Sequence, residues 1–140
     1  MFIEQEKLIE VVIYYKKSKS GNSVRIVTDE SKLKEMKADE GKGFTRASFK
    51  LRPMTWRTYN DLLRESKTTN PLTMSEETDW ATYREKKLVR LLAEWEAKDK
   101  DGNPIPITEE RIMSLHPLVA ENILNEYDKK VYLDEEEQKN

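Results

Sequence analysis

The spacing of apolar residues changes at Pro53, and this change limits what the chain can fold into. Before it, "FTRASFKLRP" (Phe44 to Pro53) sets Ala47, Phe49 and Leu51 on one side and Arg46, Ser48 and Lys50 on the other. That is the period of two of a half-buried strand, and the proline ends it. After it, Trp56, Tyr59, Leu62 and Leu63 recur at helical spacing, with Thr55 placed as N-cap and Met54 placed to staple onto Tyr59. Strands that come first and helices that follow lack the alternation a parallel sheet requires, so the class is α+β.

Upstream, "LIEVVIYY" (Leu8 to Tyr15) and "SVRIVT" (Ser23 to Thr28) are rich in β-branched and aromatic residues, and Gly21 and Asn22 supply a turn between them. A β-hairpin is expected, with a helix over residues 3 to 16 as the competing reading. "DESKLKEMKADEGKG" (Asp29 to Gly43) reads as a loop or a short surface helix. Downstream, "TTNPLTMSEE" breaks the chain, and Thr73 and Glu76 have capping-box spacing. Trp80, Tyr83, Leu88, Leu91, Leu92 and Trp95 then form the core face of a long helix expected over Ser75 to Ala97. A short helix opens at Thr108 and Glu109. Another opens at Pro117, with Leu118, Val119, Ile123, Leu124 and Tyr127 as its apolar face. The expected architecture is a small antiparallel N-terminal sheet (hairpin plus one strand) followed by a compact bundle of three to four helices. All of it forms one domain over residues 1–140: a β-rich basic part (1–53), a helical part (54–130) and a charged tail (131–140).

A chain of 140 residues buries about two thirds of its unfolded surface, enough for one sizeable core. Its 37% charged residues are balanced by three Trp, six Tyr and three Phe, bulky core material that disordered chains lack. The absence of Cys removes disulfides, thiolate metal sites and cysteine nucleophiles, and suits a reducing compartment. The start "MFIEQEKLIEVVIYY" carries acids where a secretory leader carries bases, and no apolar run approaches the ~20 residues of a membrane helix. The chain is expected to be soluble and intracellular, with no membrane partner. Charge is asymmetric: residues 16–52 hold 11 Lys/Arg against 5 Asp/Glu, and residues 53–140 hold 13 against 19. Because Asp29, Glu30, Glu35, Asp39 and Glu40 interleave with the bases, a solvated face is expected. Nucleic acid is not expected as a partner, and any binding to it should be weak and non-specific.

"AKDKDGNPIPITEERI" (Ala97 to Ile112) resembles a calcium loop. With Gly102 at position 6, however, Ala97 and Thr108 fall where the first and last ligands belong, so a turn is expected. The single histidine, His116, lies between helices in "SLHPL" with no nucleophile or carboxylate at triad spacing, and reads as a cap. Glu76/Glu77 and Glu109/Glu110 sit in first helical turns, where the helix dipole accounts for them. "GKGF" has no helix behind it, so it makes only a weak phosphate loop. The residues therefore offer no catalytic, cofactor or metal site.

"FKLRPMTWRTYNDLL" and "EKKLVRLLAEWEAKDKDGNPIPITEERIMSLHPLVAENILNEY" together resemble small phage tail-morphogenesis proteins, tail assembly chaperones above all. The likeness lies in a strand running into an L-x-P-[LM]-T-W-x-x-Y helix start, then a helix ending in Trp, a DG-x-P-[IV]-P-[IL]-T turn and two short helices. It spans Phe49 to Tyr127; residues 1–43 match no family motif. The resemblance implies a non-enzymatic protein without cofactor that contacts phage tail proteins, either the tape measure or baseplate and tube components. It would act in the host cytoplasm during assembly or in the virion tail, and could be an oligomer. The partner-binding residues it implies are Trp56, Tyr59, Trp80, Trp95, Leu118 and Tyr127. The alternatives are a permanent baseplate, neck or tail component and, from a different class, a small nucleic-acid-associated regulator using residues 16–52.

Overall fold

The structure is a computed structural model that describes residues 1–35 and 43–132. It is an α+β fold. The expected hairpin is β1 (Ile9–Lys17) and β2 (Val24–Val27), joined by a turn in which Gly21, at φ 76°, donates its N–H to Ser18 O. A short helix, α1 (Glu30–Glu35), follows, opened by the Asp29 carboxylate, which accepts both the N–H and the hydroxyl of Ser31. The rest of the stretch up to Lys42 lies outside the described residues. Then come β3 (Thr45–Leu51), α2 (Trp56–Glu65), β4 (Lys67–Thr69), β5 (Glu76–Thr78), α3 (Trp80–Leu91), β6 (Leu92–Trp95), α4 (Glu109–Met113) and α5 (Pro117–Val131). The charged tail beyond Tyr132 is outside the described residues. No helix among those described is long and apolar enough to cross a membrane.

The main sheet has the order β2-β1-β3-β6 and is antiparallel throughout. It has one strand more than expected, and that strand comes from the helical half. The long helix expected over Ser75 to Ala97 is three elements. Glu76–Thr78 pairs with Lys67–Thr69 as a small hairpin, Trp80–Leu91 is helical, and Leu92–Trp95 lies along β3 with Phe49 opposite Trp95 and Leu51 opposite Leu92. Leu88, Leu91, Leu92 and Trp95 satisfy a helical period and also satisfy a helix that hands over to a strand. The unpaired edge of β3 decides between them by offering hydrogen bonds that a helix would leave unused. The N-cap moves accordingly, from Thr73 to Asp79.

Period-two alternation puts Val11, Ile13, Phe49 and Leu51 on the inner face of the sheet, where they share a core with Leu88, Leu91 and Leu92, Ile112, Ile123, Leu124 and Tyr127. The other face is mixed: Val12, Tyr14 and a buried Val27 lie there beside the ion pairs Arg46–Glu96 (3.6 Å) and Lys50–Glu94 (3.7 Å). Ser48 is buried there, its hydroxyl donated to Glu10 at 2.8 Å. Beyond β6 the chain doubles back through Asp99–Asn103. The Ile105 N–H is donated to Ala97 O, Lys98 faces Pro104, and the Trp95 indole N–H reaches Ile105 O at 2.7 Å.

Candidate aromatic interaction surface

α2 and α3 are bound together at their ends. Thr55 caps α2 by accepting the Thr58 N–H, as its position predicts. At the other end the buried Ser66 hydroxyl is donated to Leu62 O, and Ser66 O in turn accepts the Asp79 N–H at 2.7 Å. The β4–β5 hairpin thus returns the chain to its starting point. Asp79 then caps α3, accepting the N–H groups of Ala81 and Thr82 and the Thr82 hydroxyl. Those bonds, from Thr82 first, hold its carboxyl below the ordinary carboxylate range. The tip of the hairpin carries Leu72 and Met74, both exposed, with Met74 in the left-handed region at φ 57°.

This joint sets three aromatic rings edge to face. Tyr83 lies between Trp80 (5.4 Å, 74°) and Tyr59 (6.5 Å, 80°), a favoured geometry for paired rings. Tyr83 is 8% exposed, whereas Tyr59 is 37%, Trp80 61% and Trp56 81%. Trp56 precedes Tyr59 by three residues on the same helix and so adjoins it on the α2 surface. Soluble proteins seldom leave two tryptophans this open on neighbouring helices without a use for them.

Behind this surface, Lys87 is buried with its ammonium 5.8 Å from the ring centres of both Tyr83 and Tyr127, and it donates to Asp128 at 2.8 Å. Tyr127 donates its hydroxyl to Arg52 O at 2.9 Å, and burial pushes its phenol up to about 12. The unfolded phenol loses its proton near 10.0. Stability contributed by the neutral, buried ring is therefore complete below pH 10 and is lost as pH rises through 12. Chemical denaturation of the wild type should show stability falling across that window, and Tyr127→Phe should flatten the fall. An unchanged slope would show that Tyr127 is not the group responsible.

Of the residues expected to meet a partner, Trp56, Tyr59 and Trp80 gather on α2 and α3, although Trp56 and Trp80 are exposed rather than part of a core face. Tyr127 lies behind them in the core. Trp95 is half-buried against the core at the β6 edge, and Leu118 is exposed at the start of α5; neither adjoins the α2–α3 rings. Lys87 escaped sequence reading, although its spacing of four from Tyr83 would have flagged the pair.

The other candidate sites are local structure. The Asp99 carboxylate accepts the N–H groups of Asp101 and Asn103, both at 2.9 Å, and Gly102 takes φ 81°, so this loop is a turn closed on itself. His116 caps α5, its Nδ1 accepting the Leu118 N–H. Among the described residues no three His, Asp or Glu side chains gather as metal ligands would. Comparison with protein-family models, with curated proteins and with solved structures gives no match.

Proposed function

We propose that this chain is a non-enzymatic protein-binding factor of the tail-assembly-chaperone kind, holding an apolar helix of a phage tail protein against α2 and α3. The observation that carries the reading is the exposed row Trp56, Tyr59 and Trp80. Aromatic anchors of this kind supply most of the energy of helix and groove contacts. Tyr83, which lies against Lys87, packs edge to face with Tyr59 and Trp80, which lowers the ordering cost of these two rings on binding.

The test has a genomic and a biochemical arm. The gene should neighbour one for a long, Ala/Leu-rich helical tape-measure protein, and co-expression should keep that protein soluble and co-eluting in size-exclusion chromatography. Trp56→Ala with Trp80→Ala should weaken the complex about 30-fold or more, the scale expected for losing an aromatic hot spot of about 2 kcal/mol. The same pair should shift the unfolding free energy by less than about 1 kcal/mol, because both side chains are open to water. A tape-measure protein that stays insoluble in the presence of the chain, or a complex indifferent to both substitutions, would overturn the proposal. Stoichiometric retention in purified particles would assign the chain as a permanent tail component instead.

A further inference from the structure

We propose that the face of the sheet opposite the main core, at its basic end, binds single-stranded nucleic acid without sequence preference. Lys16 of β1 and Arg25 of β2 are directly opposite one another. Like charges at that position repel, so the fold spends stability to place two cations side by side. Both lie against one ring, the Lys16 ammonium 5.8 Å and the Arg25 guanidinium 6.0 Å from the centre of Phe44, and the ring's negative face offsets part of the repulsion. Gly43, just before the ring, takes φ 84°, a left-handed conformation that favours glycine, and lies against the Lys16 stem. One step along the same face, Tyr14 of β1 is opposite Arg46 of β3.

Cations thus cross three adjacent strands (Arg25, Lys16, Arg46) with Phe44 and Tyr14 among them. Along the sequence, acids interleave with these bases; among the described residues, none of those acids is paired across the sheet with Lys16, Arg25 or Arg46. Asp29, Glu30 and Glu35 belong to α1 and its cap, and Glu30 pairs with Lys34, whereas Asp39 and Glu40 lie outside the described residues. On the face itself, Glu10 and Glu94 are opposite or beside Lys50, four residues and therefore about 13 Å along the strands from Tyr14 and Arg46. Glu96 pairs with one of the cations, Arg46. Its pair with Arg46 is exposed and 3.6 Å long, weak enough for a phosphate to displace.

A track of cations spanning three strands suits a chain of phosphates better than a single one, and an aromatic ring within the track gives bases a surface on which to stack. A sheet face offers no helix to insert into a duplex groove, so single strands should be preferred.

Fluorescence anisotropy of a short, mixed-sequence, labelled DNA strand titrated with the whole protein tests this. Three phosphate contacts give a slope of about −2 in log affinity against log salt, which is on the order of tenfold weaker binding at about 200 mM than at about 50 mM. Lys16→Gln with Arg25→Gln should weaken binding on the order of tenfold while leaving the melting temperature unchanged or raised, since it removes a repulsion; Arg46→Gln serves as the second variant should the first fail to fold. No anisotropy change at low salt would overturn the proposal. So would binding that the substitutions leave intact, or a duplex bound as tightly as the single strand. None of these outcomes touches the α2–α3 surface, so the two readings fail separately.

Discussion

Leu91→Ala is expected to lower the unfolding free energy by about 2–5 kcal/mol, the range for truncating a buried leucine where the surroundings relax only partly. Leu91 ends α3, is almost fully buried in the cluster that includes Leu51, Leu88 and Ile123, and its carbonyl accepts the Arg52 N–H at 2.8 Å. The cavity would therefore open where helix, sheet and the β3–α2 corner meet, and the backbone bond holds the site against collapse. Glu85→Ala, on an exposed position of the same helix, should change stability by less than about 0.5 kcal/mol. Urea unfolding of both variants gives the comparison; equal effects would mean that the buried side of α3 has been misassigned.

A second large effect is expected at the buried cation. Asp128→Ala should cost about 2 kcal/mol, because it strands the Lys87 ammonium between two rings with no carboxylate. The Lys87 side chain is 9% exposed but that of Asp128 is 43%, so water relieves part of the penalty and keeps it below that of a fully enclosed pair. Lys87→Met keeps the length and apolar body of the side chain against Tyr83 and Tyr127 and removes the charge, so it should be close to neutral. With both substitutions the loss should be smaller than with Asp128→Ala alone. If Asp128→Ala is as mild as Lys87→Met in denaturant, the carboxylate is not what allows the lysine to be buried.

The elements that could be read in the sequence are those specified locally. The alternation of β3, the turn at Gly21, the caps Thr55 and Thr108, and Pro117 at the first turn of α5 all depend on neighbours within a few residues, and each is where its chemistry predicts. β6 was hidden because its partner, β3, is some forty residues away, and only that pairing distinguishes a strand at Leu92 from one more helical turn. The same limit governed the tryptophans. Helical spacing groups Trp56 with Leu62 and Trp80 with Leu88, but Leu62 and Leu88 are buried while both indoles are open, since the width of the core, not the period, decides where a helix turns to water. The grouping of Lys16, Arg25 and Arg46 was also concealed by linear order: they come from three different strands, and only the pairing of those strands brings them near one another.

The prolines after β6 also constrain how molecules of this protein can meet. A sheet edge is ordinarily an invitation to a further strand, because its backbone groups point outward unpaired. Here the chain doubles back past Trp95 and sets Pro104 against Lys98, and a proline has no N–H to lend to a newcomer. At Pro104 a second copy therefore finds one backbone donor fewer to pair with. An assembly that recruits the chain from this direction gains correspondingly more from recognising its side chains.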